Sequence, residues 1–402
     1  MRGTRLPEGR RAGCDRVLLA GLAVAALTTG CAGGVAEPPS PIPEPAVSVR
    51  PVPIDVLGPG TGLVAPTLTD VHDPLRTTPM LRDPAFAAEV AAWTERLDGS
   101  TAPWVAADLE RMGTYASAVD SMLAERGLPP SLRYLPVIES GYDPDAVSPA
   151  SAVGLWQLMA GTARELGIRV SPLVDERRDP FVSTAAALTF LEDLHGDFGS
   201  WFLALAAYNS GPARVRGLMR RHAPLATPSD SLYWALRPHL PRETRDFVPK
   251  LLATMMIGER PSLFGHPPVR VEPIEYEEVD IPDATTLDVI AGAAGVAEEE
   301  IARLNPQLLR AMTPPGVSVV VRVPKGTAGT FRTRYALIPP EERVSFVEHR
   351  VASGETLSHI AVRYGIRVSD LEAANPTVRP RYLRVGAVLT VPVAPSARRP
   401  SG

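Results

Sequence analysis

Apolar residues recur at intervals of three and four positions through the middle of the chain, from Asp83 to Met256. This spacing is typical of helices that bury one face, and the alternating pattern of strands is nearly absent. Asp83 can cap the first helix, with Pro84 at its first position. We therefore expect one all-α domain over residues 76–265. Its predicted helices span residues 84–97, 103–126, 131–139, 152–166, 183–195, 200–208, 211–221 and 243–258.

After Gly265, apolar and polar residues alternate as they do in half-buried strands. The predicted strands lie at 271–281, 317–323 and 346–351. This part also contains an internal repeat, in which nine positions match 70 residues later, seven with the same residue and two with another aliphatic one. The first copy of the repeat contains Thr286, Leu287, Ile290, Ala291, Gly295, Val296, Ile301, Asn305 and Pro306. The predicted units are two small α+β (βααβ) modules at 269–325 and 346–394, a linker at 326–345 and a tail at 395–402.

The N-terminal residues indicate export. Five arginines precede the uncharged stretch from Val17 to Leu27, which as a helix would reach about 16 Å, half a hydrocarbon core. Such a segment is typical of a secretory signal, here residues 1–30. Residues 28–31, TTGC, resemble the bacterial lipobox, which implies a diacylated Cys31 and an outer-membrane lipoprotein facing the periplasm. The alternative is a plain secretory signal that is cut a little later.

Proline is concentrated between the signal and the helical part, with eight prolines in residues 37–60. We expect residues 31–75 to form an extended tether of polyproline II character. No other apolar run reaches the 18 residues of a membrane span.

Composition excludes several classes of function. The chain of 402 residues is 45% hydrophobic and 21% charged, which is typical of a globular protein, and its net charge of -4 offers no general attraction for nucleic acid. Two cysteines cannot build a disulfide framework or a zinc site, and the seven histidines lack metal-ligand spacing. We expect no cofactor, no metal, no nucleic-acid partner and a monomeric chain.

One glutamate stands out as a candidate general acid. Glu139 follows an apolar helical stripe and lies just before Gly141, at the C-terminal end of the predicted helix. The negative end of the helix dipole and the apolar neighbours both disfavour ionisation of its carboxyl group. A carboxyl that stays protonated near neutral pH suits general acid catalysis.

Four ordered motifs around this glutamate resemble the lytic transglycosylases, which share a lysozyme-like α fold. The motifs are Glu139-Ser140, Ser148, Gly154-Leu155-Trp156-Gln157 and Ala207-Tyr208-Asn209-Ser210-Gly211. Asp175-Glu176-Arg177 and Trp201 fall where the membrane-bound type D subfamily has them. The resemblance covers residues 80–265 and implies an all-α lysozyme-like catalytic domain that is followed by C-terminal LysM modules.

The resemblance implies cleavage of the MurNAc–GlcNAc β-1,4 bond of peptidoglycan glycan strands. Glu139 would protonate the glycosidic oxygen and then act as base toward the C6 hydroxyl of the muramoyl residue, leaving a 1,6-anhydro end. The substrate's own 2-acetamido group would stabilise the cationic centre. Ser148 and Tyr208 would hydrogen-bond Glu139 or the acetamido group, and Gln157 and Asn209 would contact sugar or fix the loop.

Two other functions are open at this point. A hydrolytic muramidase would need a second carboxylate, for which the candidates near in sequence are Asp143, Asp145 and Asp175. A non-catalytic wall-binding lipoprotein would need no intact site, and the presence of the four motifs argues against it. Three large aromatic residues of the domain are expected to pack in the core rather than to stack on sugar: Trp156, Trp201 and Phe202.

The second repeat resembles the LysM module, a small glycan-binding domain. The resemblance implies glycan contacts from Gly354, Glu355, Thr356, Leu357, Asn375 and Pro376. The first repeat is degenerate, because Asp283-Ala284-Thr285 replaces the glycine-containing turn. Ten acidic and five basic residues give residues 269–325 a net charge of -5, whereas four acidic and six basic residues give 346–394 a net +2. We expect the second copy to bind glycan and the first to be a structural spacer packed near the catalytic domain.

Overall fold

The computed structural model describes residues 72–393, except Pro172, Val271, Pro315, Val344, Gly365 and Pro376. The predicted signal, Cys31, most of the tether, Pro376 and the tail lie outside the described residues. In the described part, no helix is long and apolar enough to cross a membrane.

The N-terminal unit, which we call the helical domain, consists of α-helices and short 3-10 turns, as the apolar spacing predicts. Its helices are α1 (Pro84–Asp98), α2 (Ala102–Glu125), α3 (Leu135–Ser140), α4 (Ala160–Glu165), α5 (Pro180–Phe198), α6 (Trp201–Ser210), α7 (Pro212–His222), α8 (Asp230–Leu236) and α9 (Arg242–Glu259). Helix α6 is the centre of the core, since its residues from Trp201 to Ala207 are all buried. Trp156 and Phe202 are fully buried as well, which confirms the expected core packing of these aromatic residues.

Two boundaries of this domain differ from the sequence prediction. The predicted helix at 152–166 is wrong for its first half, because only α4 is helical. Gly154 and Gln157 have positive φ angles of 82° and 48°, which interrupt a right-handed helix. The predicted tether ends too late, because Leu75 is fully buried and the Asp73 carboxylate accepts a hydrogen bond from the Ser131 amide at 2.9 Å. The short helix α8, capped by Ser229, was not predicted.

The two repeats form two separate modules that share the order strand, helix, helix, strand, and two further helices follow in the first module. The first module contains β1 (Tyr276–Ile281), α10 (Leu287–Ala294), α11 (Glu298–Leu304), β2 (Val319–Pro324), α12 (Ala328–Tyr335) and α13 (Pro340–Arg343). The second module contains β3 (Ser345–Arg350), α14 (Leu357–Arg363), α15 (Val368–Ala374) and β4 (Val388–Val393). In each module the two strands pair antiparallel, with Tyr276 opposite Pro324 in the first and Ser345 opposite Val393 in the second.

The same asparagine ties the second helix to the last strand in both modules. Asn305 donates to the carbonyls of Ile301 and Arg322 at 2.8 and 2.7 Å and accepts from the Arg322 amide. Asn375 makes the equivalent three bonds in the second module, including both backbone groups of Thr390. These buried bonds explain why an asparagine stands at this position of both copies.

The predicted linker at 326–345 is wrong in its structure, since α12 and α13 occupy most of it. Phe331 and Tyr335 lie four positions apart on α12, so that one face of the helix carries both rings. Both rings are buried in the core of the first module, where α12 packs against α10. The segment therefore completes the first module instead of joining two modules.

The first module packs tightly against the helical domain, as predicted for a structural spacer. Arg322 on β2 forms a buried ion pair with Asp179 at 2.6 Å, and its guanidinium lies over the rings of Phe181 and Tyr276. Backbone bonds add to this contact, since the Asp175 amide donates to Gln307 at 3.0 Å. Both charges of the ion pair are out of water, so each depends on the other.

This ion pair predicts a clear difference between two basic residues of the first module. Arg322→Met should lower the free energy of unfolding by about 3 kcal/mol, because it leaves the Asp179 carboxylate buried without its partner. The value is at the low end for such pairs because the amides of Phe181 and Val182 still donate to that carboxylate. Lys325→Met is the control, since its ion pair with Glu275 is exposed. Urea unfolding of both variants measures the effect, and equal stabilities would contradict a structural role for the pair.

Candidate active site

Glu139 lies at the end of α3, where the chain turns sharply away from the helix. Gly141 adopts the left-handed conformation, with φ 63°, and its amide donates to the carbonyl of Val137. A Cβ atom at Gly141 would lie 2.5 Å from the Asp108 carboxylate, so that a larger residue here would displace the side chains of Asp108 and Arg111. Arg111 donates to the Gly141 carbonyl at 2.6 Å and holds this end of the helix. The local sequence therefore places the Glu139 carboxyl at a fixed helix terminus.

Burial raises the pKa of Glu139 to about 8, as expected for a general acid. Desolvation of the carboxyl group is the largest cause. The positive charge of Lys250 lowers this pKa in part, and the negative charge of Glu243 raises it further. A carboxyl with a pKa of about 8 is about 90% protonated at pH 7.

Two residues of this environment, Lys250 and Glu243, were not identified from the sequence. Both lie on α9, more than 100 residues after Glu139, and Lys250 donates to the Ile138 carbonyl at 3.3 Å. Burial lowers the pKa of Lys250, with Glu139 and Glu243 acting in the opposite direction. The only signal in the sequence is rarity, because Lys250 is one of two lysines in the chain.

Helix α9 can carry Lys250 at this position although a proline precedes it. Pro249 lies inside the helix and has no N–H group to donate to the carbonyl of Arg245, four positions earlier. That carbonyl accepts instead from the Tyr233 hydroxyl at 3.2 Å and from Arg237 at 3.1 Å. The helix thus continues past the proline and brings Lys250 beside α3.

Tyr208 and Asn209 lie at the end of α6, close to the same carboxyl. The Tyr208 hydroxyl donates to the Trp156 carbonyl at 2.6 Å, and burial followed by the Glu139 charge raises the pKa of Tyr208 well above its usual value. Asn209 donates to Glu243 at 3.3 Å and accepts from the Thr244 hydroxyl at 2.7 Å. Both side chains therefore connect α6 to the neighbouring parts of the site.

Ser148 and Gln157 belong to an irregular loop beside α3. The Ser148 hydroxyl oxygen accepts from the Ala152 amide at 3.0 Å, and its proton can still be donated. Gln157 donates its side-chain amide to the Gly154 carbonyl at 2.8 Å, which assigns it to fixing the loop. The Ser140 hydroxyl joins this loop to α3 by donating to the Leu155 carbonyl at 2.8 Å.

The Asp175-Glu176-Arg177 motif supports this loop from behind. Asp175 and Arg177 form a buried ion pair at 2.8 Å, and Arg177 donates to the carbonyls of Ser151 and Leu158. A Cβ atom at Gly154 would lie 1.8 Å from the Arg177 carbonyl oxygen, so the loop needs glycine to pack this closely. The motif is therefore part of the framework of the site.

The three aspartates considered as second carboxylates are engaged elsewhere. Asp175 is buried in its ion pair, Asp145 is paired with Arg178 at 2.5 Å, and Asp143 accepts from the Asp145 amide at 2.9 Å. The additional carboxylate whose charge raises the pKa of Glu139 is Glu243. No group of three or more potential metal ligands occurs among the described residues.

In the second module, the predicted glycan-binding residues differ in what their side chains do. Leu357 and Asn375 are buried and hold the module together. Glu355 accepts from the Ala352 amide and lies 2.7 Å from His349, and the first of these contacts is the main cause of its lowered pKa. Gly354 and Thr356 are exposed, as is Tyr382, an aromatic residue that the sequence analysis did not single out.

The corresponding turn of the first module is covered. Thr285, the counterpart of Glu355, is fully buried and its hydroxyl lies 2.7 Å from the Tyr335 hydroxyl. The Thr286 amide donates to the carbonyl of Arg343, at the end of α13. The loop after the second helix faces the helical domain, where the Leu309 amide donates to Leu173 at 3.0 Å. Both sides of the groove that would hold glycan are thus occupied by the chain itself.

Known protein families match the chain in the order of its structural units. Residues 120–226 match the transglycosylase SLT domain, and residues 275–340 match the LysM-like domain of lytic transglycosylase MltD. Residues 349–392 match the LysM domain.

Individual relatives cover parts of the chain. Membrane-bound lytic murein transglycosylase D of Escherichia coli strain K12 is 31% identical over 301 residues, which are 72% of this chain and 66% of that protein, just under two thirds of its length. Membrane-bound lytic murein transglycosylase F of Maricaulis maris is 37% identical over 101 residues, 23% of this chain and 21% of that protein.

Solved structures give partial matches. The lytic transglycosylase Slt of Pseudomonas aeruginosa is 29% identical, with 38% of this chain and 25% of that chain covered and a TM-score of 0.31. The 70 kDa soluble lytic transglycosylase of Escherichia coli is 26% identical, with 39% and 26% covered and a TM-score of 0.31. On the family matches and the relative of 31% identity, this chain belongs to the lytic transglycosylases, with a lysozyme-like SLT domain followed by two LysM-type domains.

Proposed function

We propose that the chain cleaves the MurNAc–GlcNAc β-1,4 bond of peptidoglycan and leaves 1,6-anhydroMurNAc ends. The observation that carries this proposal is the Glu139 carboxyl, which burial keeps protonated at neutral pH beside the motifs of the family. A protonated carboxyl can donate to the glycosidic oxygen, and the carboxylate that results can accept the proton of the C6 hydroxyl. That hydroxyl then attacks C1 in place of water.

The surrounding residues support this use of a single carboxyl. The Tyr208 hydroxyl can still accept a hydrogen bond, and the Ser148 hydroxyl can still donate one. Both lie at the edge of the site, where the 2-acetamido group of the substrate would lie and stabilise the cationic centre. Asn209 positions Glu243, and Gln157 fixes the loop that contains Gly154. Lys250 lies close enough to stabilise the carboxylate form of Glu139 after the first proton transfer.

Glu243 supports a second candidate, a hydrolytic muramidase. Its charge acts on Glu139, and it is exposed, so that it could activate a water molecule on the opposite face of the sugar. We favour the transglycosylase because the Glu243 carboxylate on α9 already accepts a hydrogen bond from Asn209 on α6. The mass of the product separates the two reactions, since the anhydro product is lighter by one water.

We also propose that the chain acts in the cell envelope, where peptidoglycan is found. A LysM domain at 349–392 and the relation to membrane-bound murein transglycosylases support this location. The lipid anchor at Cys31 and the outer-membrane position stay predictions from the N-terminal sequence.

Replacement of the general acid should stop the reaction without unfolding the protein. Glu139→Gln should lower the turnover of purified sacculi by about 10²- to 10⁴-fold, because the amide cannot donate the proton. The matched control is Glu165→Gln, an exposed glutamate of α4. Mass spectrometry of the released muropeptides measures both rate and product. Wild-type release by Glu139→Gln would contradict the assignment, and reducing-end MurNAc from the wild-type chain would favour the muramidase.

The charges around Glu139 should set the alkaline limb of the pH profile. Activity should fall as the pH rises through about 8, because the carboxyl then loses the proton that it must donate. Lys250→Met removes a positive charge and should move this limb to higher pH, whereas Glu243→Gln removes a negative charge and should move it to lower pH. Lys325→Met, which changes the other lysine of the chain, should leave the limb unchanged. Shifts in the same direction for both site variants would refute this account.

The second module should provide the main attachment to glycan. It has its own hydrophobic core, with Ile360, Leu371 and Leu389 buried, so we expect the fragment 340–402 to fold and to pellet with insoluble peptidoglycan. A Glu139→Gln chain that ends at Arg343 keeps the first module, whose groove is covered, and should pellet less than the complete Glu139→Gln chain. Equal pelleting of the two chains would show that the second module is dispensable for attachment.

A further inference from the structure

A groove separate from the candidate active site lies where the helical domain and both modules meet. Its volume is about 650 Å³, and its walls come from all three units. The helical domain contributes Tyr115, Pro144, Asp145 and Arg178, the first module contributes residues of α11 and of the loop after it, and the second module contributes Arg367. We call this space the junction groove.

The junction groove is rich in arginine, although the first module carries a net negative charge. Four guanidinium groups line it, those of Arg178, Arg303, Arg310 and Arg367, against one aspartate, Asp145. Within the described part of the chain, no acidic residue of the first module lines the groove; several of them lie on β1 and in the first turn of α11. Overall charge therefore misrepresents this surface, and the groove is suited to anions.

The four arginines fall into two pairs with different roles. Arg178 is paired with Asp145 at 2.5 Å, and Arg310 is paired with Asp370 of α15 at 2.6 Å. The Arg310–Asp370 pair is partly buried and joins the first module to the second, whereas the Arg178–Asp145 pair lies within the helical domain, with Asp145 exposed. Arg303 and Arg367 are exposed, and within the described part of the chain their guanidinium groups have no carboxylate partner. Their charges are available to a ligand.

The groove is close to the candidate active site. Pro144, in its wall, follows Glu139 by five residues, so that the chain between them spans at most about 18 Å. Tyr115 stacks on Tyr142 with ring centroids 6.4 Å apart, which joins the floor of the groove to the turn after Glu139. An extended peptide of four residues reaches about 14 Å. The reach of a peptide attached to a sugar near Glu139 is therefore of the same order as the greatest possible separation of Glu139 and the groove wall at Pro144.

We propose that the junction groove binds the carboxylates of peptidoglycan peptide stems and so places the stem-bearing sugar at Glu139. This inference rests on the proposed function, because it takes peptidoglycan as the substrate. The stems are the anionic part of that polymer, and Arg303 and Arg367 supply two cations without partners. The carboxylates would form charge-assisted hydrogen bonds with the guanidinium groups, a geometry that arginine favours over lysine. The ion pair between Arg310 and Asp370 keeps Arg367 of the second module at the edge of the groove.

Comparison of two substrates tests this proposal. Soluble glycan strands that carry intact stems are compared with the same strands after an amidase has removed the stems. The double variant Arg303→Gln/Arg367→Gln should lose about five- to thirtyfold in kcat/KM on stem-bearing strands and keep its activity on stripped strands. The loss should shrink as salt is added, since exposed charges are screened. Arg221→Gln, an exposed arginine at the end of α7, is the control.

A binding measurement separates this proposal from the proposed function. In a Glu139→Gln background, the double variant should bind stem-bearing strands more weakly by a similar factor and stripped strands unchanged. Equal losses on both strands, or no loss on stem-bearing strands, would overturn the groove as a stem site. If the wild-type chain cleaves neither substrate but binding still depends on stems and on the two arginines, the proposed reaction fails and the stem site stands.

Discussion

The candidate site depends on keeping one carboxyl group, that of Glu139, partly out of water. Desolvation disfavours the charged form, and this effect is larger than the attraction of Lys250. A carboxyl in this state opposes folding above its unfolded pKa, since the unfolded chain would release the proton more easily. The rest of the domain must therefore hold the group in place, which explains why the end of α3 is fixed by Gly141 and Arg111. The same burial that weakens the fold provides a proton donor at neutral pH.

Support for the site extends as far as the first module. The Gln307 carbonyl of that module accepts from the Asp175 amide, and the Asp175 carboxylate is paired with Arg177. Arg177 in turn holds two carbonyls of the loop that contains Ser148 and Gln157. A continuous series of contacts thus joins the module to the loop beside Glu139. A LysM-type module without an open groove still has a structural task in this arrangement.

The sequence predicts the helices of the domain well because their apolar spacing is regular, as in α1, α2 and α5. It fails at the loop before α4, where Gly154 and Gln157 leave the right-handed region and Gly154 packs against Arg177. That contact joins residues more than twenty positions apart, and local spacing carries no information about it. The same limit applies to the site, because Glu139 is identified by its motif, whereas Lys250 and Glu243 approach it only through the packing of α9 against α3.

The repeat shows how one framework can be kept while its surface changes. Asn305 and Asn375 make the same three bonds, so the shared residues of the two copies preserve the fold of the module. What differs is the surroundings of the first turn, where Tyr335 covers Thr285 while Thr356 stays exposed. Tyr335 belongs to α12, an element that only the first module has, since no helix follows β4 within the described residues. A residue outside the repeat, Tyr335, therefore adds to the effect of the substitutions within it in covering the first turn of the first module.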